Sequence, residues 1–247
     1  MEHEVYDAFF EAEDNHWWFE GRRRILNSIL DQVFPTGGLQ IADVGCGTGG
    51  MARLLNQYGT VTGVDEAPEA REYCARRGLP IVLTPEEWDQ EGKTFDLVTS
   101  FDVVEHVEDD VAFLESLKAR LSPSGWLLVT VPAYQFMWSV FDEMNHHKRR
   151  YTRGRLKQSL AKSGFEVERM SHFNTHLFPG VLIMRMIEKV KPEDPSMTPQ
   201  QHLEKWFRVG PLNSFFANVF ASERHWLRRG DLPFGSSIVA LARPKRT

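Results

Sequence analysis

Short apolar runs bounded by turn residues alternate with stretches of helical period over most of this chain, and that alternation predicts an α/β fold: a parallel sheet with helices on both faces. Two further observations sharpen the expectation. The first run, LQIADV, passes straight into a glycine-rich turn, GCGTGG from Gly45 to Gly50, and the second, TVTGVD, ends in an acidic residue, Asp65. A strand, a tight turn and a helix in that order bring backbone N–H groups to the carboxyl edge of the sheet, where doubly wound folds hold their ligands.

Seven candidate strands follow from apolar runs set against turn signals: LQIADV, TVTGVD, LPIVL, FDLVTSFD, WLLVTVP, FEVERMS and SSIVALAR. Helical patterns occupy Met51 to Tyr58, Pro68 to Arg77 and Asp109 to Leu121. In the last of these Asp109 or Asp110 is suited to cap the N-terminus, and Val111, Leu114, Leu117 and Leu121 recur at helical spacing as a core face. Thr152 reads as the N-cap of a helix from Arg153 to Ser163, ended by a left-handed Gly164. The interval between Ser171 and Ser236 is far longer than a usual connection and predicts an insertion. It contains an apolar helix, Leu177 to Val190, a Pro-rich linker, KPEDPSMTPQ, and a second helical region, His202 to Arg229, bearing Trp206, Phe207, Phe215, Phe216, Phe220 and Trp226. The expected division is an N-terminal helical cover (1–36), a core (37–171 and 235–247) and a helical insertion (172–234).

With 247 residues, 42% hydrophobic and 26% charged, the chain is long enough for one substantial core. A net charge of −5 and a pI near 6.0 give no global basic field, so no nucleic-acid partner is expected. Cys46 and Cys74 are too few for a disulfide framework, which points to a reducing, cytoplasmic setting. The start, MEHEVYDAFFEAEDNHWW, lacks the basic and apolar segments of a secretory signal. The most apolar later stretch, LFPGVLIMRMI, is broken by Pro179 and Arg185 and falls short of the ~20 residues needed to span a bilayer.

The glycine turn alone leaves its ligand open. Gly45, Gly47 and Gly50 satisfy the dinucleotide pattern G-x-G-x-x-G, and Asp65 is suited to the ribose hydroxyls of NAD and of S-adenosylmethionine alike. Asp43 before the first glycine separates the two, because a carboxylate there opposes a pyrophosphate and favours a ligand with an ammonium and a sulfonium. A second segment, TFDLVTSFDVVEHVED, runs from the fourth strand through Phe101 and Asp102 into Glu105, His106 and a new helix. With D-V-G-C-G-T-G and FDLV…EHVED together, the chain resembles the class I S-adenosylmethionine-dependent methyltransferases. That resemblance implies a Rossmann-like doubly wound sheet of seven strands whose last two form an antiparallel pair. It also implies that Gly45, Gly47 and Gly49 cradle the methionine moiety, that Asp43 orients that end and that Asp65 holds the ribose. Cys46 lies within this cradle, Glu66 and the stretch Thr84 to Glu86 flank adenine, and Phe101 and Asp102 lie beside the cofactor. Thr84-Pro85-Glu86 departs from the family's usual composition there.

Within that family HWWFEGRRRIL and the series Trp138, Asp142, Glu143, His147, Arg149, Arg150, Tyr151 and Thr152 resemble a subgroup associated with glycan or lipid-linked metabolite pathways. The N-terminal segment is expected across the cofactor mouth, with Trp18 covering the site and Arg23, or its neighbour Arg22, reaching the cofactor carboxylate. Methyl transfer leaves S-adenosylhomocysteine and needs mainly an aligned nucleophile and, for a hydroxyl, a place for its proton. His106 and His147 are the best-placed candidate bases, with Tyr151 as a third; each has a structural reading too. Adjacent His146 and His147, with Asp142 and Glu143, diverge too much to make a metal set, and none is expected. The function expected is methyl transfer to an O- or N-nucleophile of a small molecule, with sugar, lipid-linked and anionic metabolites as the candidate classes, the last suggested by the basic run Lys148, Arg149, Arg150, Arg153 and Arg155. The alternatives are an NAD-dependent oxidoreductase and a non-catalytic adenosyl-ligand binder. The insertion is read as a helical pair with its own core, a roof, a dimer contact or a peripheral membrane contact.

Overall fold

The seven strands are β1 (Leu39–Val44), β2 (Gly59–Val64), β3 (Val82–Leu83), β4 (Phe95–Phe101), β5 (Leu121–Pro132), β6 (Phe165–Phe173) and β7 (Ser237–Pro244). They make one sheet, in the order β3-β2-β1-β4-β5-β7-β6, with β7 antiparallel to both its neighbours and the other pairings parallel. The computed structural model describes residues 3–79, 81–190, 198–208 and 210–245. Pro80 of LPIVL and most of the Pro-rich linker, residues 191–197, lie outside them.

The central strands read as unbroken apolar runs because both their faces are covered. Ile41, Leu97 and Leu128 point to one side with Ile25, Leu26, Ile29 and Leu30 of the N-terminal helices; Ala42, Val98 and Leu127 point to the other with Leu114, Leu117, Leu156 and Leu160. A period of two along each strand thus feeds two cores. The helices, in chain order, are α1 (His3–Asn15), α2 (Trp17–Val33), α3 (Ala52–Leu55), α4 (Pro68–Arg76), α5 (Pro85–Glu91), α6 (Asp110–Ala119), α7 (Val140–Met144), α8 (Arg153–Lys162), α9 (Phe178–Val190), α10 (Pro199–Trp206), α11 (Asn213–Ala221) and α12 (Arg224–Leu227). Asp109 caps α6 by accepting from Val111 and Ala112 N–H, and Thr152 caps α8 by accepting from Arg155 N–H.

Several boundaries differ from the sequence reading. Leu121 belongs to β5, because α6 ends before Arg120 and Leu121 pairs with Phe95; helical spacing alone does not separate a helix end from an adjoining strand. The helix expected from Met51 to Tyr58 closes after Leu55 into turns. The short α7 was not foreseen; its signal is the capping box of Ser139 and Asp142.

The N-terminal cover and the insertion share one aromatic layer. Trp17 meets Phe216 and Phe220, and Phe19 meets Phe207, at ring separations of 5.6–6.1 Å. The layer closes most tightly where α11 crosses α2. A Cβ on Gly21 would stand 2.4 Å from the Phe220 ring, so only glycine permits this approach. By contrast α9 buries none of its residues and exposes Ile183, Met184, Met186, Ile187 and Val190. Among the described residues no helix is long and apolar enough to cross a membrane.

Phe220 is fully buried between α2 and β6, stacked on Phe173 at 6.2 Å. Phe220→Ala is expected to lower unfolding free energy by about 3–5 kcal/mol, read as a reduced urea midpoint at unchanged slope.

Candidate active site

The chemistry-bearing residues of the sequence converge at the carboxyl ends of β1, β2, β4 and β5. At the first of these, Gly45 takes φ +77° and a Cβ there would stand 2.3 Å from Val103, so a side chain would be strained and would collide with the loop after β4. Gly47 donates its N–H to Asp65 Oδ2 at 2.8 Å, and Ala67 donates to Oδ1 at 2.9 Å, which fixes the Asp65 carboxylate over the turn. Gly49 N–H donates to the Cys46 carbonyl and closes the loop. Cys46 does not offer its thiol to this face; the side chain turns into the core, 3.8 Å from Cys74 Sγ. Glu66 is exposed, one residue beyond Asp65. Thr84 caps α5 in a reciprocal pair with Glu87, so its hydroxyl and amide are committed to that helix.

Asp43 is 2% exposed and accepts from Thr99 Oγ1 at 2.7 Å. Burial pushes its carboxyl up to about 7, against the Thr99 hydrogen bond and the positive charge of Arg22. Arg22 is the arginine that enters the site. Its guanidinium pairs with Asp102 at 2.9 Å, donates to Thr130 Oγ1 at 2.9 Å, and lies 4.9 Å from the Trp18 ring and 5.4 Å from Phe101. Arg23, the expected residue, instead donates to the Glu13 carbonyl in the α1–α2 corner. A helix turns about 100° per residue, so two consecutive arginines cannot serve one pocket. Glu13 of α1, which no motif singles out, packs on Gly50 and is bonded to Thr48 and Arg77, clasping α1 onto the glycine turn.

Beyond Asp102 the chain turns, with His106 N–H donating to the Val103 carbonyl, and presents Glu105 and His106. The segment after β5 folds over them. Arg150 grips Asp142 through Nε at 2.7 Å and Nη2 at 2.9 Å, and Asp142 Oδ1 also lies 2.9 Å from His147 Nδ1. These hydrogen bonds outweigh burial and hold the Asp142 carboxyl well below the usual carboxylate range. His147 thereby directs Nε2 at Glu105, 4.0 Å from Oε1, and its ring stands edge-on to His106 at 4.6 Å. Glu105 is completely buried. Its own amide is turned toward the carboxylate, but among the described residues neither oxygen has a well-formed hydrogen bond. Burial, then the charge of Asp102, drive its pKa well upward. Burial, then His147, push His106 down to about 4.

Tyr151 is a correction to the expected base set. Its ring is fully buried and its hydroxyl donates to Asp110 at 2.8 Å, so burial and that bond raise its pKa and keep it out of the cleft. His146 and His147 diverge as adjacent residues should, His146 being exposed with φ +55°. The groups that gather are Glu105, His106 and His147, a set drawn from two separate loops. Arg149 and Arg150 of the basic run are buried and bonded to the Glu108 carbonyl and to Asp142, so neither is free for an anionic acceptor.

A family profile described as a methyltransferase domain matches residues 17–184. The chain belongs to the class I S-adenosylmethionine-dependent methyltransferases. Among its relatives, the ubiquinone biosynthesis O-methyltransferase of Dinoroseobacter shibae is 40% identical over 149 residues, covering 49% of this chain and 60% of that protein. A protein of the same name from Paramagnetospirillum magneticum is 41% identical over 37% of this chain and 39% of its own length. The matched region therefore spans about 60% or less of these relatives. In fold the chain is similar to a SAM dependent methyltransferase from Archaeoglobus fulgidus (TM-score 0.53, 19% identity, 89% of this chain and 93% of the other). It is also similar to the [4+2]-cyclase SpnF (TM-score 0.54, 18% identity, 91% and 81%).

The residues at the glycine turn fit the family's cofactor, S-adenosylmethionine. Arg22 Nε is buried with no partner among the described residues, a donor suited to the cofactor's carboxylate, and Asp43 is suited to its ammonium. Asp65 is suited to the ribose hydroxyls. Because the Asp43 carboxyl is raised to about 7, acid neutralises it and a cationic ligand binds more tightly as pH rises through that value. Calorimetric titration with S-adenosylmethionine is expected to show affinity rising on the order of tenfold from about pH 5.5 to about pH 7.5. Asp43→Asn is expected to flatten that slope and leave binding weak throughout.

Proposed function

We propose that the chain methylates a hydroxyl group of a small-molecule acceptor, an oxygen of phenolic acidity. The observation that carries this reading is the buried Glu105 carboxylate, without a well-formed hydrogen bond among the described residues, facing His147 Nε2 just past the carboxyl end of β4 and near the His106 ring and Asp102. An amine acceptor reacts as its free base through its own lone pair, whereas a hydroxyl must also lose a proton, and this cluster is suited to receive one. Groups of carboxylate and imidazole basicity suit a phenol, whose pKa is about 10, far better than an alkanol. The relatives named ubiquinone biosynthesis O-methyltransferase support the choice of oxygen over nitrogen.

S-adenosylmethionine, when bound, supplies an electrophilic methyl on a sulfonium that departs as a neutral thioether. Arg22, Asp43 and Asp65 bind and orient it. The rings of Trp18 and Phe101 lie against the Arg22 guanidinium and help hold it in place. Arg150 and Asp142 hold the imidazole of His147 in one orientation and one tautomer, with Nδ1–H donated to Asp142 and Nε2 facing Glu105. The acceptor's O–H bond breaks into the Glu105–His106–His147 cluster, and its oxygen gains the methyl carbon. The partner this requires is the acceptor itself.

The test is release of S-adenosylhomocysteine with a panel of phenols, the methylated product being identified by mass spectrometry. His147→Asn is expected to lower kcat by about 10²–10⁴ while S-adenosylhomocysteine binding is unchanged. Failure of every phenol to gain a methyl group, or full kcat in that variant, would sink the proposal.

A further inference from the structure

We propose that Cys46 and Cys74 form an oxidation site beneath the glycine turn, where a peroxide converts the two thiols to one disulfide and thereby weakens the hold of the turn on S-adenosylmethionine. The inference concerns cofactor binding and is independent of the nature of the acceptor.

These are the two cysteines of the chain, and the methyl-transfer chemistry uses neither. Cys46 stands between Gly45 and Gly47 in the turn, and Cys74 stands on α4. Both side chains are buried, and their sulfurs are 3.8 Å apart. A single buried thiol is an ordinary core residue and is inert. Two features set this pair apart. The sulfurs face one another in contact, in seats that glycines make: a Cβ on Gly63 would stand 2.8 Å from Cys46 Sγ, and one on Gly49 would stand 3.1 Å from Cys74 Sγ. Cys74 also donates its S–H to the Gly47 carbonyl at 3.3 Å, and the N–H of the same glycine holds Asp65 Oδ2 at 2.8 Å. One line of contacts therefore runs from the two sulfurs through Gly47 to the carboxylate suited to the ribose.

The hydrogen bond to Cys74, then burial, push the Cys46 thiol up, so it stays protonated at rest and reacts only with an excess of oxidant. Cys46 is the more exposed of the two and is the first to react. Its sulfur attacks one peroxide oxygen: the S–O bond forms, the O–O bond breaks, and the thiol proton leaves with the departing oxygen as water. The Cys74 sulfur then attacks the resulting sulfenic sulfur. The S–S bond forms, the S–O bond breaks, and the second thiol proton leaves with that oxygen as a second water. Two electrons pass from the sulfurs to the peroxide. Disulfide sulfurs are about 2.05 Å apart, so the pair must close by about 1.8 Å, and the S–H bond to Gly47 ends with the loss of its hydrogen. Helix α4 is the fixed partner, because Tyr73 beside Cys74 is buried and donates to Asp7 of α1 at 2.6 Å. The turn is the part that yields. Its glycines at 45, 47 and 49 stand at φ +77°, +52° and +78°, and displacing Gly47 draws its N–H away from Asp65.

The full chain is treated with an excess of hydrogen peroxide, quenched and compared with the untreated protein. The expected product is a monomer without free thiols after denaturation, from which mass spectrometry recovers a peptide cross-linked between Cys46 and Cys74. Calorimetric titration should show S-adenosylhomocysteine binding weakened about 10–100-fold, as for the loss of one or two hydrogen bonds to a charged group, and dithiothreitol should restore it. Cys46→Ser and Cys74→Ser are each expected to bind S-adenosylhomocysteine equally before and after peroxide. Thermal unfolding checks both variants; should one not fold, the other decides. Thiols that survive in the native chain under peroxide that oxidises the denatured chain overturn the proposal. So does a cross-link between two chains in place of one within the chain, an unchanged affinity once the disulfide has formed, or an equal loss of affinity in the folded serine variant.

Discussion

The cluster of Glu105, His106 and His147 beyond the carboxyl ends of β4 and β5 depends on the fork between Arg150 and Asp142. Both side chains are removed from water, at 7% and 0% side-chain exposure, and the pair is held by two parallel hydrogen bonds of 2.7 and 2.9 Å. Removing one partner of such a pair typically costs about 3–5 kcal/mol because a charge is stranded. An exposed pair such as Arg71–Glu87 contributes about 0–1 kcal/mol. The fork therefore fixes the loop after β5 against the sheet, and everything it carries is fixed with it: the capping box of α7, the tautomer of His147, and the approach of that imidazole to Glu105.

A second set of ion pairs does the corresponding work on the cofactor side. Arg22 crosses from α2 to Asp102 and Thr130, tying the N-terminal cover to the ends of β4 and β5. Glu13 ties α1 to Thr48 in the glycine turn and to Arg77 beyond α4. Both contacts join the N-terminal helices to the carboxyl edge of the sheet. The aromatic layer of α2, α10 and α11 stands behind them and makes the cover and the insertion one packing unit, although a Rossmann-like core separates them in sequence. The reading of the insertion as a helical pair with its own core underestimated this: Phe220 and Phe207 find their partners on α2, not on each other.

Local signals in the sequence were legible where the structure is local. The glycine turn, the caps at Asp109 and Thr152 and the left-handed Gly164 are set by residues within a few positions of themselves, so pattern alone locates them. Arg22 and Arg23 differ by one position and by about 100° of helix rotation, which pattern does not resolve without knowing which face of α2 meets the sheet. Tyr151 was a third candidate base with a structural reading beside it, and its place in an isolated bridge to Ala133 buries it against Asp110. Asp142 was visible as part of a motif, while its role as the support of His147 was not.

The sequence by itself determined the α/β class, the seven strands and the glycine turn, which follow from periodicity or from residues adjacent along the chain, and its motifs carried the resemblance to the family. Only the tertiary structure decided which side chains meet at the reactive edge. Glu105 and His147 lie on loops after different strands, and the contact between them exists only because β4 and β5 are neighbours in the sheet and the Arg150–Asp142 fork bends one loop over the other. A contact of that kind is set by strand order and by buried charge, neither of which is written in any short stretch of residues.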